Sequence, residues 1–301
     1  MANRMFVAAV FSLWLGSMSW LFVDRVLPSF YEGEPPTALA HEPGKAVGWL
    51  VQWKGRDVGQ AVSIRADGVG GTSEIHNRVH LNDIPLMDLA PAWMRHAVGD
   101  FGRLEFDATT RVEFDSLGTF SAFESKIQVN DIPSVLQMSG RVKEGHLKLK
   151  VRSGETVYSP NVQLSNQAAL SEALFPDPLL TNLREGRTWR EEVYSPFRPP
   201  THPTEPVEAR VLGKETIEVN GERVKVMCVE YLSASSSGIS QASRRQAKSW
   251  VDMNGVVMQR DVYLGRSKLR FVRLPDETSA ALSDEFFPAL KLSGVRAGVE
   301  L

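Results

Sequence analysis

The segment ETIEVNGERVKVMCVEYL, residues 215–232, decides the fold class. Apolar residues alternate with charged ones on both sides of the pair Asn220-Gly221. A spacing of two is typical of a β-strand with one buried face. Asn-Gly favours the type I′ turn, because both central residues of that turn need a positive φ. We therefore predict a β-hairpin here, with Cys228 inside its second strand.

The same alternation extends over most of the chain beyond this hairpin. Trp49, Val51 and Trp53 share one face of a predicted first strand, and Asn254-Gly255 marks a second hairpin. The fold class is therefore mainly β, with an antiparallel sheet and a few short helices. The predicted helices lie at residues 86–98, 166–174 and 278–287.

The folded body is predicted over residues 48–274. It forms either one curved antiparallel sheet or two similar half-sheets, over residues 48–165 and 184–274. A linker rich in proline and glycine precedes it at residues 24–47, and a short helix with a tail follows at residues 275–301. Five prolines between positions 196 and 206 predict a surface connection without a strand.

The N-terminus contains an apolar run. Residues 5–23 carry no charge, and at about 1.5 Å per residue such a helix matches the roughly 30 Å of bilayer hydrocarbon. We predict that residues 1–23 form a signal-anchor crossing the inner membrane. The alternative is a cleaved signal peptide and a secreted protein. Arg4 precedes the run, so the positive-inside rule places the bulk of the chain in the periplasm.

Composition excludes several classes of protein. The 301 residues carry 34 Lys and Arg against 36 Asp and Glu, which argues against a nucleic-acid-binding protein. With 43% hydrophobic residues, the chain is neither disordered nor a multi-span membrane protein. Its one cysteine, Cys228, excludes an internal disulfide and any site of paired cysteines.

The sequence contains few residues arranged in a way that could catalyse a reaction. A thiol enzyme needs an exposed cysteine close to a histidine, whereas Cys228 lies in the middle of an apolar strand. His76 and His80 have the spacing of metal ligands, and Asp83 follows, but the sequence indicates no further ligand. We therefore predict no catalytic, cofactor-binding or metal site, and a protein that is not an enzyme.

Two features are candidates for binding. The face of Trp49, Val51 and Trp53 is either a sealed core or part of an apolar groove open to an acyl chain or an extended peptide. A basic stretch in the C-terminal half faces anionic lipid or an acidic partner, or else it is an outer hairpin face neutralised by acidic strands. Its candidate residues are Arg244, Arg245, Lys248, Arg266, Lys268 and Arg270.

Several segments, taken in order, resemble a known β-module. They are WLVQWKGRDVGQAVSI (49–64), RVEFDSLGTFSAF (111–123), GRVKEGHLKLKV (140–151) and SWVDMNGVVMQRDVYLG (249–265). The module occurs in uncharacterised bacterial envelope proteins, often before a transglutaminase-like domain, and is distantly similar to the curved sheet of lipoprotein carriers. The resemblance implies an architecture and an envelope location, and with the sequence ending at residue 301 we expect no transglutaminase-like domain.

Together these observations predict a non-catalytic, membrane-anchored extracytoplasmic protein with a binding or scaffolding role in the bacterial envelope. Its expected partners are the membrane, through residues 5–23, and an envelope protein or an apolar ligand held by the curved sheet. The alternative is an accessory subunit for a separately encoded transglutaminase-like or peptidase enzyme. Neither nucleic acid nor a cofactor is expected.

Overall fold

The structure is a computed structural model. It describes residues 2–21, 42–84, 104–130, 132–144, 146–159, 161–163, 170–172, 175–194, 204–233, 244–264 and 267–288. Helix α1 (Ala2–Leu21) precedes the strands and helix α2 (Asp276–Phe286) follows them. The strands of the N-terminal half are β1 (Ala46–Trp53), β2 (Arg56–Asp67), β3 (Ser73–Ile84), β4 (Leu104–Phe114), β5 (Phe120–Val129), β6 (Ile132–Lys143), β7 (His146–Ser153), β8 (Thr156–Tyr158) and β9 (Asn161–Gln163). Those of the C-terminal half are β10 (Leu170–Glu172), β11 (Thr188–Tyr194), β12 (Thr204–Val219), β13 (Glu222–Ser233), β14 (Arg245–Asp252), β15 (Val257–Leu264) and β16 (Ser267–Arg273).

These sixteen strands form one sheet. Strands β1 to β8 are neighbours in chain order, and so are β10 to β16, while β9 adds to β7. Strand β16 pairs with β1, which joins the two series edge to edge. Apart from the parallel pair β10–β11, the described pairs are antiparallel. The predicted half-sheets are therefore contiguous parts of a single antiparallel sheet.

The hairpin predicted at Asn220-Gly221 is confirmed. It joins β12 to β13, and Asn220 and Gly221 have φ values of 53° and 82°, as a type I′ turn requires. The hairpin at Asn254-Gly255 is also confirmed, joining β14 to β15 through a longer turn. There the Asp252 carboxylate accepts hydrogen bonds from the backbone N–H groups of Asn254 and Val256, at 2.9 and 2.7 Å.

Helix α2 packs on the outer face of β1 and β2. Its Leu282 joins Ala46 and Val62 in a small apolar cluster. Gly48 allows this close approach, because a Cβ atom there would lie 2.9 Å from the Ser279 hydroxyl. The Gly48 N–H donates to that hydroxyl at 2.9 Å. The helix predicted near the C-terminus is therefore confirmed, beginning two residues earlier than expected.

The opposite, inner face of the sheet is filled by buried apolar side chains. Trp49 of β1, Trp189 of β11 and Phe271 of β16 are fully buried, and one cluster connects strands of both halves. Adjacent strands shift register at seven places within the described sheet. Such bulges bend strands, which lets the sheet curve around its own inner face.

A strap formed by residues 175–187 packs against the inner face. Its Phe175 and Leu180 are buried in the same cluster as the inner-face residues. The Leu180 N–H donates to the Gly255 carbonyl at 2.7 Å, and the Val257 N–H donates to the Pro178 carbonyl at 3.0 Å. The strap is therefore fastened by its backbone to the turn between β14 and β15.

Helix α1 covers most of the predicted membrane segment. Among the residues that the structure describes, no helix is both long enough and apolar enough to cross a membrane. The prediction of a transmembrane helix is therefore not supported.

Two further predictions need correction. Residues 170–172 of the predicted helix 166–174 are strand β10, because they pair with the edge of β11 and tertiary pairing outweighs helix propensity. Strand β12 begins at Thr204, so Pro206 lies in a strand despite the proline-rich context. It is tolerated there because β13 pairs with β12 only from Val207 onward. The predicted helix at 86–98 lies outside the described residues.

Candidate functional site

The three residues of the predicted groove lie in the core. Trp49 and Val51 have no exposed surface, and Trp53 is 6% exposed. On the neighbouring strand β16, Val51 faces Phe271 and Trp53 faces Leu269, both fully buried. The described inner face around this strand is therefore occupied by the protein's own side chains.

The predicted basic residues lie on or beside the outer face, where acidic side chains neutralise most of them. Arg270 binds Asp261 through two hydrogen bonds, of 2.8 and 3.1 Å, and Lys268 lies 2.9 Å from the same carboxylate. Lys248 donates to Glu215 at 3.2 Å. Arg245 binds the buried Glu230. Arg244 is half-buried, and Arg266 lies outside the described residues.

The alternating charges on these strands form a cross-strand ladder. Glu230 lies opposite Lys248, Lys248 opposite Asp261, and Asp261 opposite Arg270. Opposite charges in directly facing positions stabilise an antiparallel sheet. The ladder therefore contributes to strand pairing and presents little net positive charge.

A buried polar cluster lies on the inner face beneath the strap. Arg260 of β15 is 2% exposed, and its guanidinium lies 4.8 Å from the ring centroid of Tyr231. It also lies 3.8 Å from the carboxylate of Asp177 in the strap. Burial raises the pKa of the Asp177 carboxyl above its ordinary value, and the charge of Arg260 opposes that shift. The cluster therefore links the strap electrostatically to the core.

Glu191 extends this cluster along β11. It is 8% exposed and accepts a hydrogen bond of 3.2 Å from the indole N–H of Trp189. This cluster was not predicted from the sequence. Strand alternation offered a signal, because Arg260 stands two residues before the buried Val262 and so belongs to the inner face.

Cys228 lies on the outer face, fully buried with Val226 and Trp250. Burial raises the pKa of its thiol to about 11, while the nearby Lys248 lowers it and Glu215 raises it further. Glu215 is held by the indole N–H of Trp250, which donates to it at 2.9 Å. The thiol is therefore protonated at neutral pH, which makes it a poor nucleophile.

His76 and His80 lie on the outer face of β3, next to the end of α2. His76 lies 3.1 Å from Glu74, and His80 lies 3.3 Å from Asp107. Their rings contact Phe287 and Phe286, with centroids 6.0 and 6.5 Å apart. In the part of the chain that the structure describes, no three acidic, histidine or cysteine side chains are grouped as a metal site would need.

A pocket of about 380 Å³ opens between the strap and the turn that joins β14 to β15. Leu180 and Leu183 line it from the strap, and Met227 and Met253 line it from the sheet and the turn. Leu180 and Met227 are buried, whereas Met253 is 61% exposed at the mouth. The pocket is therefore open to solvent, and its lining combines these apolar residues with the polar Thr181, Asn182 and Asn254.

Two charged residues stand beside this pocket. Lys214 of β12 is exposed and forms no ion pair within the described residues. Asp252 has one carboxylate oxygen bound by the turn's backbone N–H groups and the other 3.4 Å from the side-chain amide of Asn254. The pocket therefore has one positive and one negative side chain beside it.

No family model matches this chain, and no curated protein matches it either. Its structure is similar to that of a β-barrel-like protein of the domain of unknown function DUF1849 from Brucella abortus, at 10% identity and a TM-score of 0.47. That match covers 78% of this chain and 97% of the other. It is also similar to the hypothetical lipoprotein YmcC from Escherichia coli, at 12% identity and a TM-score of 0.28, covering 84% and 95%. These similarities carry no information on function.

Proposed function

We propose that this protein is a non-catalytic binding or scaffolding protein of the bacterial envelope, held at a membrane through α1, with its sheet on the extracytoplasmic side. The observation that carries the proposal is that apolar side chains of α1 itself are exposed. Leu13 is 77% exposed, Trp14 53% and Trp20 69%. Soluble proteins rarely leave large apolar surfaces uncovered, and such surfaces mark contacts with membranes or with other proteins.

The composition of the helix favours a membrane as the partner. Among residues 5–20, α1 contains no charged residue, and Trp14 and Trp20 are of the type enriched at membrane interfaces. The protonated, buried thiol of Cys228 supports a non-catalytic role. The accessory-subunit alternative rests on the family resemblance alone.

Vesicle binding tests this proposal. The full chain is sedimented with vesicles of phosphatidylethanolamine and phosphatidylglycerol, and Leu13→Asp is compared with Leu117→Asp. Leu117 is 88% exposed in the turn between β4 and β5, so its variant adds the same charge to the body. A charged side chain inserted into a membrane costs about 2.5–3.5 kcal/mol.

We expect the wild type and Leu117→Asp to sediment with the vesicles, and Leu13→Asp to remain largely in the supernatant. Circular dichroism and urea unfolding of the three proteins establish that the body is equally folded in each. Equal sedimentation of Leu13→Asp and the wild type contradicts the proposal, and so does a wild type that stays in solution.

A further inference from the structure

We propose that the outer face of strands β6 and β7 binds the surface of an anionic phospholipid bilayer, with its lysine and arginine side chains at the lipid phosphates. The proposal adds a second membrane contact to the one proposed for α1, and it does not depend on that helix. The residues of this cationic face are Arg141, Lys143, Lys148, Lys150 and Arg152.

The five cations lie side by side on one exposed surface. On β7, exposed Lys148, Lys150 and Arg152 alternate with buried apolar residues, so the three charges share the outer face. Residues two positions apart on a strand are separated by about 7 Å. On β6, Arg141 and Lys143 are exposed on the same side, because Arg141 pairs with Lys148. The face is therefore a compact group of like charges, two strands wide.

No carboxylate neutralises this face within the described residues. None of the five side chains forms an ion pair there, and the neighbouring Glu124 of β5 is bound by Lys126 at 3.0 Å. Glu144 and Glu155 lie in the turns at opposite ends of β7. On β13 to β16, by contrast, cations and carboxylates alternate across the strands. The positive charge of the cationic face is therefore available to an external anion.

The sheet itself gains no stability from this pairing. Arg141 faces Lys148 directly across β6 and β7. Like charges in directly facing positions destabilise an antiparallel pair of strands. A contact outside the sheet therefore accounts for these cations better than strand pairing does.

The side chains favour lipid over a protein or a nucleic acid as the partner. Lysine is depleted in protein–protein interfaces, which also need an apolar centre, whereas Gln137 and Ser139 lie beside the cations on β6. The whole chain has a net charge of −2, unlike a nucleic-acid-binding protein, which usually has a basic excess. Lipid head groups are mobile and can gather under a cluster of lysines and arginines, each of which adds to the attraction.

Lysine acetylation of the full chain tests the cationic face. Sulfosuccinimidyl acetate is applied with vesicles of phosphatidylcholine, either alone or mixed with phosphatidylglycerol, and the products are quantified by mass spectrometry. At about 0.1 M salt, the anionic vesicles should slow acetylation of Lys148 and Lys150 several-fold, and the neutral vesicles should not. At about 1 M salt this protection should disappear, because the Debye length falls from about 10 Å to about 3 Å. Lys214 and Lys225, exposed on β12 and β13, should react equally throughout.

Two double variants test the role of the charge. Lys148→Gln with Lys150→Gln should weaken sedimentation with the anionic vesicles about thirty-fold, because each lysine near such a surface contributes about five-fold. The measurement uses the Leu13→Asp background, in which insertion of α1 does not mask the effect. Lys214→Gln with Lys225→Gln removes the same charge from exposed positions elsewhere and should bind like its parent. Circular dichroism establishes that both double variants are folded.

Three results overturn the proposal. They are equal acetylation of Lys148 and Lys150 with anionic and neutral vesicles, an equal loss of binding in the two double variants, and protection by a DNA duplex that matches protection by the vesicles at the same phosphate concentration. Salt separates this contact from that of α1. Insertion of an apolar helix persists at about 1 M salt, where the cationic face is screened, so sedimentation there reports α1 alone. Either proposal can therefore fail without the other.

Discussion

At the scale of single residues, Cys228 shows how position decides the reactivity of a thiol. It lies beside Trp250 on the outer face and near both Lys248 and Glu215. The pKa of about 11 means that the effect of burial exceeds the stabilisation of the thiolate by the lysine. The thiolate needed for nucleophilic attack is therefore scarce at physiological pH.

The consequence is measurable by thiol labelling. Cys228 should react slowly with a disulfide reagent in the native protein and rapidly in urea. Replacement of Cys228 by Ala should cost about 1 kcal/mol of stability, because a small buried side chain is shortened. It should leave vesicle binding unchanged. Rapid labelling of the native protein at neutral pH would show that this account of the thiol is wrong.

Trp53 reports whether the inner face is sealed. The side chain is 6% exposed and packs with the apolar cluster of both halves. Trp53→Ala should therefore lower the free energy of unfolding by about 3–5 kcal/mol in urea titrations, with no rescue by apolar ligands. Recovery of that stability on adding an apolar ligand, without the same gain in the wild type, would instead indicate an open groove at this position.

At the scale of elements, the contact between α2 and β3 is sensitive to pH. The His76 ring meets Phe287 and faces Glu74 and Arg111. Desolvation lowers the pKa of His76 below its ordinary value of 6.5, outweighing the opposing effect of Glu74. The folded state thus favours neutral His76, and its contribution to stability is present above pH 6.5 and declines as the pH falls through that value.

Replacing the histidine should flatten this dependence. Between about pH 7.5 and about pH 5.5, the wild type should lose more stability in urea unfolding than His76→Gln does. The control is His146→Gln, at an exposed position on β7, which should follow the wild type. Parallel pH profiles for the wild type and His76→Gln would remove His76 as the cause.

Elements with local signals could be predicted from the sequence, whereas those fixed by distant contacts could not. The Asn220-Gly221 hairpin follows from turn chemistry and alternation within a few residues. Strand β10 has no such signal, since its three residues are extended only because β11 lies beside them. The pocket is also fixed by distant contacts. The strap and the β14–β15 turn that form it are more than sixty positions apart in the chain, as the hydrogen bond between Leu180 and Gly255 shows. Its lining residues therefore did not stand out in the sequence.

At the scale of the whole molecule, the pairing of β1 with β16 should make the two halves unfold together. Val51 faces Phe271 across this seam, and both are fully buried. Phe271→Ala should cost about 3–5 kcal/mol and increase hydrogen exchange in β5 and β6 as well as in β12 and β13. Leu117→Ala, at an exposed turn, is the control. Faster exchange in one half only would show that the halves are independent units.

The pairing of β1 with β16 also makes a circular permutation of the chain possible. Spatial neighbours run from β10 through β16 and on to β1 and β8, so the sheet is a single meander whose covalent order starts in the middle. A circular permutant that starts at β10, links α2 to Ala46 and ends after β9 would keep every strand pair. In the natural order, the paired residues Val51 of β1 and Phe271 of β16 are 220 positions apart in the chain. The permutant would bring them close together in the sequence. Because folding slows as contacts become less local, such a permutant should fold faster than the natural order while reaching the same sheet.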